Sequence, residues 1–254
     1  MASSTRKPLI AANWKMHKTV AQARAFVDAV RALPLPLGAV DAVICPPFTA
    51  LCAARDALAG SGIALGAQNM SWADEGAFTG EISPVMLVEC GVAWVVIGHS
   101  ERRALFGELD FRINEKVRAA LAHGITPIVA VGETEDEHAA GRARTKVGSQ
   151  VRAAFDGLSA GDVARCVVAY EPIWAIGTGN ADSPQEANAL MGEIRDTIPG
   201  LADVRLLYGG SMKPENVTAF VAQPNIDGGL VGGASLQPAS FAALLDGARK
   251  GATA

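Results

Sequence analysis

Residues 93–131, which read AWVVIGHSERRALFGELDFRINEKVRAALAHGITPIVAV, carry the pattern that decides the fold. The stretch begins and ends with short apolar runs, at 93–98 and 126–131. These runs are nearly continuous rather than alternating, which is typical of parallel strands buried on both faces. Between them, residues 112–123 place apolar side chains at helical spacing and stop at Gly124, a residue favoured just past a helix end. The stretch therefore predicts a strand–helix–strand unit.

The same pattern continues in both directions along the chain. The predicted strands start 22 to 40 residues apart, and lie at 9–14, 41–45, 63–67, 93–98, 126–131, 165–170, 205–208 and 227–231. Each interval suits one strand, one helix and two loops, except that the third strand is followed by a long loop and a short helix at 84–90. The pattern predicts an α/β fold, a single-domain (β/α)8 barrel over residues 1–254. A doubly wound open sheet is the alternative.

Composition excludes several classes of protein. Half of the 254 residues are hydrophobic and 19% are charged, which is typical of a globular chain and not of a disordered one. The net charge is -4 and no basic run occurs, so we expect no nucleic-acid partner. No apolar run reaches about 18 residues, and residues 1–8 lack the apolar stretch of a signal peptide, so we expect no membrane association and a cytoplasmic protein.

The four cysteines, Cys45, Cys52, Cys90 and Cys166, form no C-x-x-C pair. Such a set argues against a structural zinc site. It fits a reducing compartment, where buried thiols act as small apolar groups.

In a barrel of this kind, the residues that follow the strands meet at one rim, where active sites lie. Glu171 follows the sixth strand, and a carboxylate that borders apolar surface tends to have a raised pKa, which suits a general base. A solvated or ion-paired glutamate is the alternative. His99 follows the fourth strand and precedes a helix, whose N-terminus disfavours a charged ring, so a neutral hydrogen-bond donor is expected. A core histidine bonded to the backbone is the alternative.

Asn13 and Lys15 follow the first strand and could meet an anionic, carbonyl-bearing substrate, or could form an ion pair that seals the barrel mouth. The seventh and eighth strands end in Gly209-Gly210-Ser211 and Gly232-Gly233. Glycine lets backbone N–H groups approach a phosphate closely, and barrel enzymes often hold phosphate at these two loops. Tight turns alone are the alternative.

Two loops have unusual apolar content. Residues 172–179 contain Ile173, Trp174 and Ile176, which suggests a lid that closes over a substrate and excludes water, or else a permanently packed loop. Residues 68–81 carry Met70, Trp72 and Phe78 without any helical or strand period. This second loop suggests a subunit interface, with an internal loop core as the alternative.

Other catalytic and cofactor motifs are missing. The chain has no complete dinucleotide fingerprint, no phosphate-binding G-x-x-x-x-G-K-[ST], no nucleophile elbow and no H-E-x-x-H. We therefore expect no cofactor and no metal.

Six segments together resemble the triosephosphate isomerase family, over about residues 7–250. They are NWK (13–15), AQNMS (67–71), GHSERR (98–103), AYEPIWAIGTG (169–179), LYGGS (207–211) and LVGGASL (230–236). The resemblance implies the fold known as the TIM barrel, and the interconversion of dihydroxyacetone phosphate and D-glyceraldehyde 3-phosphate through an enediolate, in glycolysis and gluconeogenesis.

The resemblance also implies a role for each matching residue. Glu171 would be the base that moves the proton, His99 a neutral electrophile, Lys15 an electrostatic stabiliser and Asn13 an orienting group. Phosphate contacts would come from Gly177, Ser211, Gly232 and Gly233, and Glu101 would be a carboxylate near the lysine. The lid would consist of Pro172, Ile173, Trp174, Ala175, Ile176, Gly177, Thr178 and Gly179.

The family resemblance further implies a homodimer in which Thr79, at the tip of the 68–81 loop, lies beside the partner's active site. Two positions depart from common members: Ala130, where cysteine is frequent, and Asn180, where lysine is frequent. Ala130 would alter the packing near Glu171, and Asn180 would affect the opening rate of the lid more than the chemistry. A different sugar-phosphate isomerase and a non-catalytic binding protein remain as alternative functions.

Overall fold

The computed structural model describes residues 6–176 and 182–254. Within them, eight parallel strands pair in chain order, and β1 pairs with β8 to close the barrel. The strands are β1 Leu9–Asn13, β2 Asp41–Cys45, β3 Ala64–Ala67, β4 Trp94–Ile97, β5 Thr126–Val131, β6 Val167–Tyr170, β7 Arg205–Tyr208 and β8 Gly228–Val231. The predicted (β/α)8 barrel is confirmed, and the open doubly wound sheet is wrong because the two outer strands pair with each other.

Helices follow the strands on the outside of the barrel. They are α1 Val20–Arg31, α2 Leu51–Leu58, α3 Pro84–Glu89, α4 Ser100–Phe106, α5 Asp110–Ala122, α6 Glu135–Ala139, α7 Ala143–Ala154, α8 Ala160–Val163, α9 Pro184–Arg195, α10 Val217–Val221 and α11 Pro238–Ala252. The helix expected at 112–123 is α5, and the long loop followed by a short helix after β3 is present as well. The connections after β4 and β5 are long enough to hold more than one helix each.

The strands are apolar on both faces because each face meets a different layer of the core. In β1, Leu9 and Ala11 point into a cluster inside the barrel, together with residues such as Val96 and Val167. Ile10 belongs instead to the larger cluster between the strands and the helices. This double burial explains the continuous rather than alternating pattern.

One glycine shows how tightly the barrel closes. Gly228 has a φ of +137°, and a Cβ added there would lie 1.9 Å from the carbonyl oxygen of Leu9 on the neighbouring strand. A side chain cannot fit between these backbones, so the β1–β8 seam requires glycine.

The cysteines fall into two pairs by exposure. Cys45 and Cys166 are buried, as expected, but Cys52 is exposed and Cys90 is half-buried. The expectation of buried thiols is therefore wrong for Cys52 and Cys90, because both lie at helix ends on the outer surface. None of the helices within the described residues is long and apolar enough to cross a membrane.

Candidate active site

A cavity of about 310 Å³ opens at the carboxyl ends of the strands. Parallel strands point the same way around a closed barrel, so the residues that follow them converge on this end. The cavity is lined by Asn13, Lys15, His99, Glu171, Ile176, Gly209, Gly210, Ser211, Met212, Lys213, Leu230, Gly232, Gly233 and Ala234. The structure thus brings together Asn13, Lys15, His99, Glu171, Ser211, Gly232 and Gly233, all of which the sequence pointed to.

Lys15 is held in a constrained backbone conformation at the end of β1. Its φ of +49° lies in the left-handed region, which is uncommon for a residue with a side chain. Two contacts hold it there: the Lys15 N–H donates to Asn13 Oδ1 at 3.0 Å, and Gln68 Nε2 donates to the Lys15 carbonyl at 2.8 Å. Strained backbone of this kind persists where the surroundings over-determine it, commonly at functional sites.

The Lys15 ammonium faces the cavity and also forms an ion pair. Its Nζ lies 2.6 Å from Glu101 Oε1, and both side chains are partly exposed. The two readings of Lys15 taken from the sequence are therefore compatible, since the same cation lines the cavity and pairs with Glu101. Glu101 holds the charge in place without burying it.

Glu171 and His99 contact each other directly. His99 Nε2 lies 2.9 Å from Glu171 Oε1, and the backbone N–H of Ser100 donates to Glu171 Oε2 at 2.8 Å. Only 2% of Glu171 and 6% of His99 are exposed. The other ring nitrogen, Nδ1, accepts a hydrogen bond from the N–H of Glu101 at 3.2 Å, so His99 caps α4. One proton on Nε2 satisfies both ring contacts.

This pairing reverses the pKa shift expected for Glu171. Burial raises the pKa of Glu171, but the charge and hydrogen bond of His99, the Ser100 N–H and the charge of Lys15 together lower it below 4.5. The expectation of a raised pKa is wrong because the sequence showed the apolar strand before Glu171 but not the donors that the fold aims at its carboxylate.

The same contact acts on His99 in the opposite sense. Burial lowers the pKa of His99, but the charge and hydrogen bond of Glu171 and the charge of Glu101 together outweigh burial and raise it above 6.5. Without substrate, this shift opposes the neutral ring expected from the helix N-terminus. The Glu101 N–H that points at Nδ1 still favours a ring with a single proton, on Nε2.

The glycine-rich turns after β7 and β8 leave room that side chains would fill. A Cβ added to Gly209 would lie 2.8 Å from Glu171 Cγ, and one added to Gly210 would lie 2.3 Å from Tyr208 Oη. Gly232 faces the Lys15 stem, whereas Gly233 has open space in front of it. The turns therefore do more than reverse the chain, because they let the backbone line the cavity beside Glu171 and Lys15.

The first part of the expected lid is anchored to its neighbours. Pro172 and Ala175 are buried, whereas Ile173, Trp174 and Ile176 are half-buried. Trp174 Nε1 donates to Glu133 Oε1 at 2.8 Å, and the Ser211 hydroxyl donates to the Ala175 carbonyl at 2.7 Å. Gly177, Thr178, Gly179 and Asn180 lie outside the described residues.

The 68–81 loop has both a buried part, as expected of an internal loop core, and an exposed part, as expected of a subunit interface. Met70 is fully buried, so the base of the loop belongs to the core. Residues 74–81, including Thr79, are exposed, and Phe78 is 41% exposed although it contacts Trp72 edge-on. Ala130, one of the positions that departs from the family, is fully buried on β5.

Sequence reasoning missed two residues that support the site. Glu133 is fully buried and accepts from both Tyr170 Oη and Trp174 Nε1, so it joins β5, β6 and the start of the lid segment. It follows the end of β5, and the strand-end criterion could have found it. Gln68, which bonds Lys15, follows β3 and could have been found in the same way. Among residues 6–176 and 182–254, no three His, Cys, Asp or Glu side chains are grouped to hold a metal ion.

Fold and site together define a class: a (β/α)8-barrel enzyme with a buried carboxylate–imidazole pair, a cation and glycine-rich turns around one small cavity. A family model described as Triosephosphate isomerase matches residues 8–248. The chain belongs to the triosephosphate isomerase family.

Three curated relatives agree with this assignment, and all three are named triosephosphate isomerase. The protein of Symbiobacterium thermophilum is 51% identical over 245 residues, which are 94% of this chain and 96% of the relative. Those of Roseiflexus sp. (strain RS-1) and Chloroflexus aurantiacus are each 52% identical; the matches cover 93% and 94% of this chain, and 95% and 98% of the relatives.

Proposed function

We propose that the chain interconverts dihydroxyacetone phosphate and D-glyceraldehyde 3-phosphate by proton transfer through an enediolate. The observation that carries the proposal is the direct contact of Glu171 with His99 Nε2 at 2.9 Å in a cavity that Lys15 also lines. An aldose–ketose isomerisation needs a base for a carbon-bound proton and a donor for the carbonyl oxygen beside it. The names of the relatives supply the substrates.

Glu171 takes the proton in this mechanism. The lowered pKa keeps its carboxylate ionised at neutral pH, ready to remove a proton from one carbon and return it to the next. A substrate that enters the cavity displaces Glu171 Oε1 from His99 Nε2. The carbonyl oxygen of the substrate then accepts the hydrogen bond from Nε2 in its place. The exchange removes the hydrogen bond that lowers the pKa of Glu171, so the carboxylate becomes a stronger base when substrate is present.

His99 and Lys15 stabilise the negative charge that develops on the substrate oxygens. Once Glu171 has left, the largest interaction that raises the pKa of His99 is gone, and the ring donates from Nε2 as a neutral imidazole. Lys15 supplies a positive charge, and Asn13 fixes its backbone. Donors that are oriented before the reaction act strongly in a site that excludes water.

The phosphate lies against the turns after β7 and β8. Ser211, Gly232 and Gly233 line the cavity there, and their backbone N–H groups suit a dianion. Gly177 is proposed as a further phosphate contact, and residues 172–179 as the lid that shields the enediolate from water. Glu101 positions Lys15 through their ion pair.

The direct test is a coupled assay with D-glyceraldehyde 3-phosphate as substrate. Rapid isomerisation of this substrate, with little turnover of longer sugar phosphates, supports the proposal. Preference for another sugar phosphate indicates a different isomerase, and phosphate binding without turnover indicates a non-catalytic role. Either result overturns the proposal.

The remaining features of the proposal concern the whole protein. We infer one domain over residues 1–254, a homodimer joined by the 68–81 loop with Thr79 beside the partner's cavity, and no cofactor. We infer that the protein is located in the cytoplasm and acts in glycolysis and gluconeogenesis. The exposed tip of the loop, with Phe78 at 41% exposure, supports the interface.

A further inference from the structure

Two thiols that the catalytic proposal does not use lie side by side on the outer surface. Cys52 is near the start of α2, and Cys90 follows the last residue of α3. Their sulfur atoms are 2.9 Å apart. A disulfide bond is about 2.04 Å long, so the two sulfurs need to approach by less than about 1 Å to bond.

The surroundings give the two thiols different roles. The hydrogen bond to Cys52, together with burial, raises the pKa of Cys90 to about 11, so Cys90 keeps its proton. Cys52 is exposed, and its sulfur can meet a small oxidant from solvent. The Arg55 guanidinium lies close enough to both sulfurs to interact with them electrostatically.

We propose that Cys52 and Cys90 are a reversible dithiol–disulfide site, oxidised by a peroxide or a small disulfide, that ties α2 to α3 within one chain. With hydrogen peroxide, the Cys52 thiolate attacks one oxygen, the O–O bond breaks, and hydroxide leaves to give a sulfenic acid and, after protonation, water. Cys90 sulfur then attacks Cys52 sulfur, the S–O bond breaks, and a second water leaves with the Cys90 proton. Two thiols lose two electrons and one peroxide gains them.

The bond would close a loop of 38 residues, counted by the sequence separation of the two cysteines. This loop contains β3 and the whole 68–81 segment, so the cross-link restricts that part of the unfolded chain. Neither cysteine lines the cavity, so oxidation should leave turnover intact. The site therefore adjusts stability rather than activity.

The experiment compares the full chain before and after treatment with hydrogen peroxide or, separately, oxidised glutathione. We expect a two-proton mass loss, a peptide that joins Cys52 to Cys90, and a rise in Tm of about 4–16 °C. Dithiothreitol should reverse all three changes, and kcat should stay within about two-fold throughout.

Cys52→Ser and Cys90→Ser, each alone, provide the matched controls, since each keeps the other three thiols. Neither variant should show the mass loss or the rise in Tm. Four alkylatable thiols in the treated wild-type chain, a Cys52 sulfinic acid in place of the link, a link between two chains, or a rise in Tm that persists in the variants would each overturn the proposal.

Discussion

At the scale of single residues, Glu171 is under two opposed influences. Burial at the end of β6 favours its neutral form, while His99, the Ser100 N–H and Lys15 favour the carboxylate and prevail. The arrangement keeps the carboxylate of the proposed base ionised although only 2% of Glu171 is exposed, which an isolated buried glutamate could not do.

Glu171→Gln should lower kcat by about 10²–10⁴-fold while the chain still folds, because the amide keeps the shape of the side chain but cannot accept the proton. The coupled isomerase assay measures kcat, and circular dichroism checks folding. Glu101→Gln is the matched control, since it removes a carboxylate beside Lys15 but not the base, and its loss should be much smaller. Near-wild-type turnover of the Glu171 variant would show that another group is the base.

The Glu171–His99 pair should also give a pH-dependent stability. The lowered pKa of Glu171 stabilises the fold above about pH 4.5, and this contribution is lost as the pH falls through the folded-state pKa. The raised pKa of His99 stabilises the fold below about pH 6.5, and that contribution is lost as the pH rises through the folded-state pKa. Both contributions are fully present between about pH 4.5 and 6.5.

Calorimetry on the wild type and Glu171→Gln from pH 4 to 9 tests this window. The difference in Tm, wild type minus variant, should be most positive inside the window and fall on both sides of it. A difference that stays flat across the whole range would mean that the two groups do not form this pair in solution.

At the scale of elements, the close approach of strand ends sets the position of Glu171. A Cβ added to Gly132, just after β5, would lie 1.8 Å from the Glu171 carbonyl oxygen. The Glu171 N–H donates to the Val131 carbonyl at 2.7 Å, so the two strand ends are also joined by a backbone bond. Glu171, the proposed base, is therefore positioned by its neighbouring strand as well as by its own.

Gly132→Ala should force these strand ends apart, with a loss of about 1–3 kcal/mol in the free energy of unfolding and a fall in kcat of at least tenfold. Denaturant unfolding and the coupled assay give the two values. Gly38→Ala is the control, because nothing lies within 4 Å of its added methyl group, and it should be close to neutral. Equal effects of the two substitutions would contradict a role for this close approach.

Most elements could be predicted from local pattern. The runs at 41–45, 126–131 and 205–208 coincide with β2, β5 and β7, and the other strands differ by one or two residues at their ends. The short helices α6 and α8 are harder to predict, because a few residues without a clear apolar period carry little signal. Glu133 meets the strand-end criterion, but its hydrogen bonds from Tyr170 and Trp174 are apparent only in the folded chain.

At the scale of the whole molecule, the exposed tip of the 68–81 loop is the feature that the barrel itself does not explain. Sedimentation velocity at micromolar concentration should show a dimer of twice the 26.2 kDa chain mass. Phe78→Asp should shift it toward monomer, because a charge cannot be buried unpaired in an interface. Val20→Asp, a charge at another half-exposed apolar residue, should leave it unchanged. A wild-type monomer would contradict the proposed interface.

Local sequence patterns predict the number of strands, the rim on which function should be sought, and most of the residues that line the cavity. These follow from short-range periodicity and from the rule that parallel strands end together. The closure of the barrel, the direction of the pKa shift at Glu171 and the contact between Cys52 and Cys90 are apparent only in the folded chain. All three depend on groups far apart along the chain, such as Ser100 and Glu171, 71 residues apart, which meet only when the barrel closes. Electrostatic interactions depend directly on the distances between groups. The local sequence pattern does not specify those distances for residues far apart along the chain.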